Sequence, residues 1–500
     1  MITFVTSVLL LVGGYFFYGL LVEKVFNADP NRKTPCYALQ DGVDYIPMPT
    51  WKVFLIQFLN IAGTGPIFGA IQGILFGPSA YLWIVLGCIF GGAVHDYLSG
   101  MISLRKNGAS MPEIIGSEMG RTAKFINLLL SLFLLILVGA VFVTTPAGLL
   151  ANLTAGWGDK SSLLLFWTLL IFFYYMLATL LPIDKLIGRM YPVFGLSLLI
   201  MAVGVLGGIF FTDGGLPEIT TALHNHHPAA KPLPVFPGLF ITIACGAVSG
   251  FHATQSPMMA RCLKNEKLGR PIFYGAMITE GLVALIWAAA AIKFADALSI
   301  DGNTPYEKLL NAMTDPDTGK LNPAVIVNSI CHSWLGTVGA VLAILGVVAA
   351  PITSGDTALR SARLILADFL HINQRKLYQR CLLALPVFLI SFILLNINFE
   401  VLWRYFAWMN QTLSAFTFWT ITAYLARNNK SMAFLIGLVP ALFMTMVCVS
   451  YIMLAPEGFG VNSTLAYWIG SAITLASFII FIYKEDKRLK EIFNNYLKKS

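Results

Sequence analysis

The chain has 500 residues, 57% of them hydrophobic and only 12% charged, with a mean hydropathy of +0.74 and a formal net charge of +8. Soluble domains carry roughly 25% charged residues, so composition excludes a soluble globular enzyme and points to a polytopic membrane protein. The positive charge does not argue for nucleic acid, because the basic residues sit in short loops between apolar runs, where the positive-inside rule accounts for them.

In chain order, about thirteen runs are long enough to cross ~30 Å of hydrocarbon. They lie near 2–22, 53–76, 79–104, 125–150, 162–182, 190–212, 236–258, 271–293, 331–358, 378–397, 402–425, 432–454 and 464–483. The first has no basic leader and no small-residue cleavage site, so it is expected to be a retained span rather than a signal peptide. With the N-terminus outside, all but a handful of the 33 Lys and Arg residues fall on the inner side. That bias predicts an inner-membrane protein with its N-terminus out and its basic tail, from Lys484 to Lys499, in the cytoplasm. The seven cysteines form no C-x-x-C pair and read as packing residues. His224, His226 and His227 crowd a proline-rich outer loop, which reads as solvated rather than metal-binding. Asp315 to Gly319 in the next outer loop reads as a plain turn.

Two runs carry interruptions at membrane depth. In the second, Gly63-Thr64-Gly65-Pro66 breaks a helix that would otherwise span; in the seventh, Cys245-Gly246 and Ser249-Gly250-Phe251-His252 do the same ahead of Pro257. A broken helix leaves backbone groups that hydrocarbon cannot satisfy, so they must face protein, water or solute. Five runs separate the two breaks, so the two helices point in opposite directions. Paired breaks of this kind point to the solute site of a transporter built from inverted repeats. The expected organisation is therefore residues 1–52 as an N-terminal span and loop, 53–212 and 236–425 as two five-helix repeats, and 432–500 as two further spans and a tail. The substrate would lie against Gly63, Thr64, Gly65, Ser249, Gly250, Phe251 and His252, its carboxylate held by the half-helix N–H groups and dipoles.

The ninth run supplies Ala350-Pro351-Ile352-Thr353-Ser354. It resembles the Ala-x-x-Thr-Ser pattern that the leucine-transporter fold offers to sodium, and that resemblance implies Ala350, Thr353 and Ser354 as ligands, completed by the carbonyls of Leu59 and Ala62. Ionisable residues at membrane depth are functional candidates by default. Glu280, His95 and Asp96 are the candidate carriers of a coupling proton, and His95, Asp96 and His252 could also pair with each other or bind a metal. Asp356 and Arg360 stand four apart on one helix face, the spacing of an ion pair. Phe251 and the aromatics Trp403, Tyr405, Phe406 and Trp408 are candidate cavity walls.

Taken together, Asp41-Gly42-Val43-Asp44-Tyr45, Ile61-Ala62-Gly63-Thr64-Gly65-Pro66, Gly91-Gly92-Ala93-Val94-His95-Asp96-Tyr97, Ser249-Gly250-Phe251-His252-Ala253 and Thr353-Ser354-Gly355-Asp356-Thr357 resemble, in order and spacing, the carbon starvation A transporters, peptide and pyruvate carriers of bacteria. The resemblance runs over roughly residues 30–370. It implies an all-α, leucine-transporter-like core with two discontinuous helices, and secondary uptake of a peptide, pyruvate or amino acid driven by sodium or a proton, with no other cofactor. The chain departs from better-known members at Gln57-Phe58-Leu59-Asn60, where they carry a His-His pair, and after the second break, where they carry a Thr-rich run. No phosphate-binding G-x-x-x-x-G-K-[ST] loop occurs, in keeping with a gradient-driven carrier. The competing classes are an intramembrane aspartyl protease using Asp96 and Asp356, a nutrient sensor that does not transport, and a channel. The bilayer and a small solute are the expected partners; the sequence specifies no oligomeric state.

Overall fold

The structure, a computed structural model, describes residues 1–181, 187–228, 234–314, 321–395, 399–428, 431–456 and 458–497. The turn expected at Asp315 to Gly319 and the side chain of Trp403 fall outside the described residues. Among the described residues the chain is helical, apart from one isolated bridge between Thr314 and Leu321.

Helix α1 (Ile2–Phe26) is followed by a broken pair, α2 (Thr50–Ile61) and α3 (Gly65–Phe76), bent by 52°. Then come α4 (Ser79–Arg105), α5 (Arg121–Leu153), α6 (Lys160–Leu180) and α7 (Ile187–Phe211). A second interrupted stretch comprises α8 (Val235–Thr242) and α9 (His252–Ala260), after which α10 (Glu266–Ala297) crosses. Beyond a short amphipathic α11 (Pro305–Met313) lie α12 (Pro323–Leu370), α13 (Leu377–Leu394), α14 (Phe399–Asn428), α15 (Met432–Leu454) and α16 (Ser463–Leu497).

Nine helices, or ten spans with the bent pair counted as one, are long and apolar enough to cross a membrane among the described residues. The expected runs 236–258, 331–358 and 402–425 correspond instead to α8 with α9, to α12 and to α14. Helix α12 has 48 residues and would be ~70 Å long at ~1.5 Å per residue. Its N-terminus is set by Pro323 and by Asn322, whose side chain accepts from the Ala324 amide, and its C-terminus by His371 in the left-handed conformation. Gly336, at φ +61, breaks it into two segments. Helix α14 is polar for a span because Asn410, Gln411, Ser414, Thr417, Thr420 and Thr422 are all buried. Such a stripe is tolerated where it faces the bundle interior.

Burial separates centre from rim. The most apolar windows of α4 and α10 are 83% and 89% buried, whereas those of α1 and α16 are 22% and 17% buried. Leu9, Phe17, Ile479 and Tyr483 point outward from these rim helices, an apolar outer surface suited to lipid. This is a multi-pass membrane protein.

The loops gather at two ends. At one, Glu218 accepts from the Thr3 amide at 2.8 Å, the Gly215 amide donates to Asp296 at 2.7 Å, and Tyr467 donates to the Phe236 carbonyl at 2.7 Å. The other end holds most of the arginines. There Arg105 pairs with Glu266 at 3.0 Å, Arg270 with Glu23 at 2.8 Å and Arg261 with Asp368 at 3.1 Å.

Candidate functional site

The two breaks meet face to face at the centre of the bundle, and glycine is what lets them. Proline at 66 offers no N–H and α2 ends at Ile61, with Ala62 leaving helical geometry at ψ 58. The second helix ends at Thr242, and Gly246 takes φ +92, a conformation that a side chain would strain. A Cβ on Gly65 would lie 2.4 Å from Cys245 Cβ, and one on Gly69 would lie 2.9 Å from the Thr242 carbonyl oxygen. Gly63 packs as closely on Ser354, whose Oγ would be 2.8 Å from an added Cβ.

Behind the second break lies a fully buried polar chain. Asp96, on α4, binds Nδ1 of its neighbour His95 at 2.8 Å through one carboxylate oxygen and Nδ1 of His252 on α9 at 2.9 Å through the other. The far nitrogen of His252 faces the Glu280 carboxylate of α10 at 3.6 Å. All four side chains have zero exposure, and neither oxygen of Glu280 meets a hydrogen-bond partner among the described residues. The sequence offers His95, Asp96 and His252 as partners and names Glu280 apart from them, and the fold brings all four together. Cys245 joins them: its sulfur, a ring nitrogen of His252 and a Glu280 oxygen lie within 4.8 Å of one another. Among the described residues this is the one His/Cys/acid group whose geometry could hold a metal ion.

The expected substrate donors are disposed differently. The Gly250 amide donates to the Asn410 backbone carbonyl at 3.1 Å, and the Phe251 amide to the Asn410 side-chain oxygen at 2.6 Å, which also accepts from Ser249 Oγ at 3.1 Å. Asn410 on α14 thus takes up the half-helix N–H groups that the sequence reading reserves for a carboxylate. Of the candidate residues, Gly65 borders a cavity of about 150 Å³, shared with Gln72, Thr242, Cys245, Arg404 and Tyr451. Phe406 is part of this wall, whereas Trp408 donates to the Cys448 carbonyl at 3.1 Å and Tyr405 is 39% exposed.

At the expected cation shell, Ser354 Oγ donates to the Leu59 carbonyl at 3.2 Å, so α12 touches the end of α2. Thr353 Oγ1 donates to the Ala350 carbonyl at 2.8 Å, one turn back on its own helix. Ala62 closes α2, its amide donating to the Phe58 carbonyl at 2.7 Å.

Two expectations need correction. Asp356 and Arg360 do not pair. Asp356 accepts from the Tyr191 hydroxyl, while Arg360 reaches Asp44 at 2.6 Å and the carbonyls of Ala178 and Leu181 at 2.7 and 2.9 Å. The loop turn at Asp41 to Tyr45 presents the buried Asp44 carboxylate to the Arg360 guanidinium, and Asp356 is taken by Tyr191. Nor do Asp96 and Asp356 form a dyad, since one is held by two histidines and the other by a tyrosine in a separate network. The His-rich loop packs on aromatics, with His226 stacked on Tyr306 at 4.5 Å and His227 tilted against Phe76 at 4.8 Å between ring centres.

The Asp41 to Tyr45 motif also acquires a role. Asp41 Oδ1 accepts from the amides of Val43, Asp44 and Tyr45 at 2.8, 3.0 and 2.9 Å, and Gly42 turns at φ +72. That turn delivers Asp44 beneath Arg360 and Arg363. Burial pushes the Asp44 carboxyl up, but the guanidinium groups of Arg360, Arg363 and Arg261 outweigh it and hold the group well below the usual carboxylate range.

The comparisons with known proteins enter here. The family described as carbon starvation protein CstA matches residues 1–166 and 160–319. An uncharacterized membrane protein of Haemophilus influenzae is 47% identical over 339 residues, which cover 59% of this chain and 91% of that one. The peptide transporter CstA of Bacillus subtilis is 31% identical over 362 residues, 60% of each chain. The pyruvate/proton symporter BtsT of Escherichia coli is 30% identical over 375 residues, 60% of this chain and 50% of that one. The chain thus spans only about half to three-fifths of the length of these two relatives. Among solved structures, a manganese transporter variant from Eremococcus coleocola superposes with a TM-score of 0.52 at 14% identity, covering 91% of this chain and 99% of that one. This last likeness is one of fold. With the family's sequence pattern matched over more than half its length, the chain belongs to the carbon starvation protein CstA family.

Proposed function

We propose that the protein is a secondary transporter of the bacterial inner membrane that takes up a small carboxylated nutrient, of the pyruvate or peptide class, together with a proton. The observation that carries this reading is the meeting of two broken helices beside a buried Asp96–His252–Glu280 chain. The breaks provide a solute site bounded by backbone and glycine. The chain provides groups that can take up and release a proton at membrane depth, on three different helices that the breaks allow to move. Cys245 stands in both, in the cavity wall and beside His252, so solute and proton would occupy adjoining sites. The named activities of relatives from B. subtilis and E. coli, peptide transport and pyruvate/proton symport, support transport rather than catalysis.

Coupling follows from charge. A proton on Glu280 removes one charge from the face between α9 and α10, and its loss restores an attraction to a protonated His252 at 3.6 Å. The packing of α9 against α10 then depends on the proton, as alternating access requires. Sodium coupling is the second reading, favoured by the Ser354 to Leu59 contact. Uptake of labelled pyruvate into proteoliposomes separates the two. Under an inward proton gradient, Glu280→Gln is expected to abolish accumulation above equilibrium while Ser354→Ala retains it. Accumulation driven by sodium alone, and lost in Ser354→Ala, would replace the proton by sodium.

A further inference from the structure

We propose that Cys245, His252 and Glu280 form a binding site for one thiophilic divalent cation of the zinc class, with Asp96 orienting the histidine from behind. The inference stands apart from the transport reading, since it concerns an ion held by the protein whether or not a solute crosses.

The site is built by close approach. Gly246 turns the second break at φ +92, and a Cβ there would lie 2.6 Å from Ala284 Cβ, one turn from Glu280 on α10. The break and the start of α9 are thereby set against the turn of α10 that carries the acid. The Cys245 sulfur, a ring nitrogen of His252 and a Glu280 oxygen lie within 4.8 Å of one another, and all three residues are buried. Nδ1 of His252 is taken by Asp96, which leaves Nε2, and Nε2 faces a Glu280 oxygen at 3.6 Å. That separation is long for a hydrogen bond, but two ligands at ~2.0–2.2 Å from a tetrahedral zinc ion stand about 3.4 Å apart. Nε2 and both Glu280 oxygens are buried without a hydrogen-bond partner among the described residues. The Cys245 thiol faces Ser249 Oγ at 3.6 Å, a weak sulfur contact. Unpaired polar atoms are costly in a dry interior, and one cation relieves all three residues at once.

Charge and donor chemistry select the ion. Asp96 and Glu280 flank one imidazole with no Lys or Arg partner among the described residues, so the cluster is short of positive charge. A divalent cation balances the Glu280 carboxylate and a Cys245 thiolate, the thiol proton leaving to solvent as the metal–sulfur bond forms. Thiolate with imidazole suits zinc-class ions, whereas one carboxylate among three ligands is a poor site for calcium or magnesium. Asp96 supplies the outer support: with Nδ1 donating to it at 2.9 Å, His252 presents the Nε2 lone pair to the metal. His95 holds the same carboxylate at 2.8 Å. Three protein ligands leave a fourth position for water. Cys245 also borders the cavity between the breaks, the side from which an ion can arrive.

The test uses the full chain purified in detergent, freed of any affinity tag, stripped with a chelator and titrated with Co²⁺ as a spectroscopic stand-in for zinc. Wild-type protein is expected to bind one Co²⁺ per chain in equilibrium dialysis, with a thiolate-to-cobalt charge-transfer band in the near ultraviolet. Stoichiometric Zn²⁺ is expected to abolish the band, and a roughly hundredfold excess of Mg²⁺ or Ca²⁺ to leave it in place. Cys245→Ala is expected to lose the band and at least about 100-fold in affinity, and Asp96→Asn to keep the band while losing about 10- to 100-fold. Cys88→Ser, and Cys381→Ser at an exposed thiol, are expected to change neither. No band in the wild type, or displacement by Mg²⁺ or Ca²⁺ as readily as by Zn²⁺, would overturn the proposal without recourse to any variant. A band retained in a folded Cys245→Ala protein would overturn it as well, and unchanged affinity in Asp96→Asn would remove Asp96 from it. Zinc in the site occupies Glu280, so it is expected to stop proton-coupled pyruvate uptake in proteoliposomes. Uptake that proceeds with the site filled would uphold the metal site and defeat the assignment of the coupling proton to Glu280. Absence of cobalt binding beside uptake that depends on Glu280 would do the reverse.

Discussion

At the scale of single residues, the molecule concentrates buried charge in two places with different chemistry. Asp44 is saturated with partners: Arg360 at 2.6 Å, Arg363 at 3.4 Å and a turn held by Asp41. Removing one partner of such a pair strands the others in a dry site, at a cost of about 3–5 kcal/mol. Asp44→Asn is therefore expected to lower the thermal unfolding midpoint in detergent well below that of a surface control such as Asp486→Asn. The sign of the pH effect follows from the depressed carboxyl: its contribution is complete above the unfolded value near ~4 and is lost only as pH falls further toward the folded value. Between pH 8 and pH 5 this group is expected to leave the unfolding midpoint unchanged, and a loss across that window that vanishes in Asp44→Asn would contradict the assignment. Glu280 is the opposite case, buried with no hydrogen-bond partner among the described residues. Residues of this second kind are legible in sequence, because an acid or histidine inside an apolar run is conspicuous. Which of them meet is not legible: His252 and Glu280 lie on separate helices, and nothing local in the chain fixes their facing. Asn410 is hidden for a related reason, since in α14 it sits in a stretch whose polar residues blur the apolar pattern.

At the scale of elements, the breaks are the part that sequence reveals best. Proline and glycine chemistry is local, so Gly63-Thr64-Gly65-Pro66 and Cys245-Gly246 mark the ends of helices without any tertiary information. Their mutual packing is tertiary, and it gives the glycines a second reason to be there. Gly65→Ala would drive a methyl to 2.4 Å from Cys245 Cβ, which the buried break has no room to relieve. We expect that variant to lose pyruvate uptake and thermal stability, and Cys245→Gly to restore part of the stability, with a coupling of about 0.5–3 kcal/mol in a double-mutant cycle. Additive effects would show that the two breaks do not touch. Gly250→Ala is expected to be at least as damaging and without such rescue, because its methyl would meet backbone atoms of Asn410 and Ser414 at 2.3 Å. Helix α12 is where the apolar pattern misled: the run at 331–358 marks only its middle, since Asn328-Ser329 interrupts it on one side and Arg360-Ser361 with Arg363 on the other.

At the scale of the whole molecule, the two ends of the bundle differ in closure. The basic end is tied shut by Asp44 with Arg360 and Arg363, Arg261 with Asp368, and Glu266 with Arg105, drawing together loops from across the chain. The cavity between the breaks approaches the other end, beside Arg404 and Tyr451. On the transport reading proposed above, this difference between the ends would be one half of an alternating-access cycle, and a proton on Glu280 would stand beside Cys245 of the cavity wall. The central claim is that solute and proton cross together. Its most direct test is the internal pH of proteoliposomes loaded with a pH-sensitive dye, at zero imposed gradient, on addition of external pyruvate. Wild-type protein is expected to acidify the lumen beyond the level in protein-free liposomes, and Glu280→Gln to carry pyruvate exchange without acidification. Pyruvate entry with no proton movement in the wild type, or acidification undiminished in Glu280→Gln, would contradict the account.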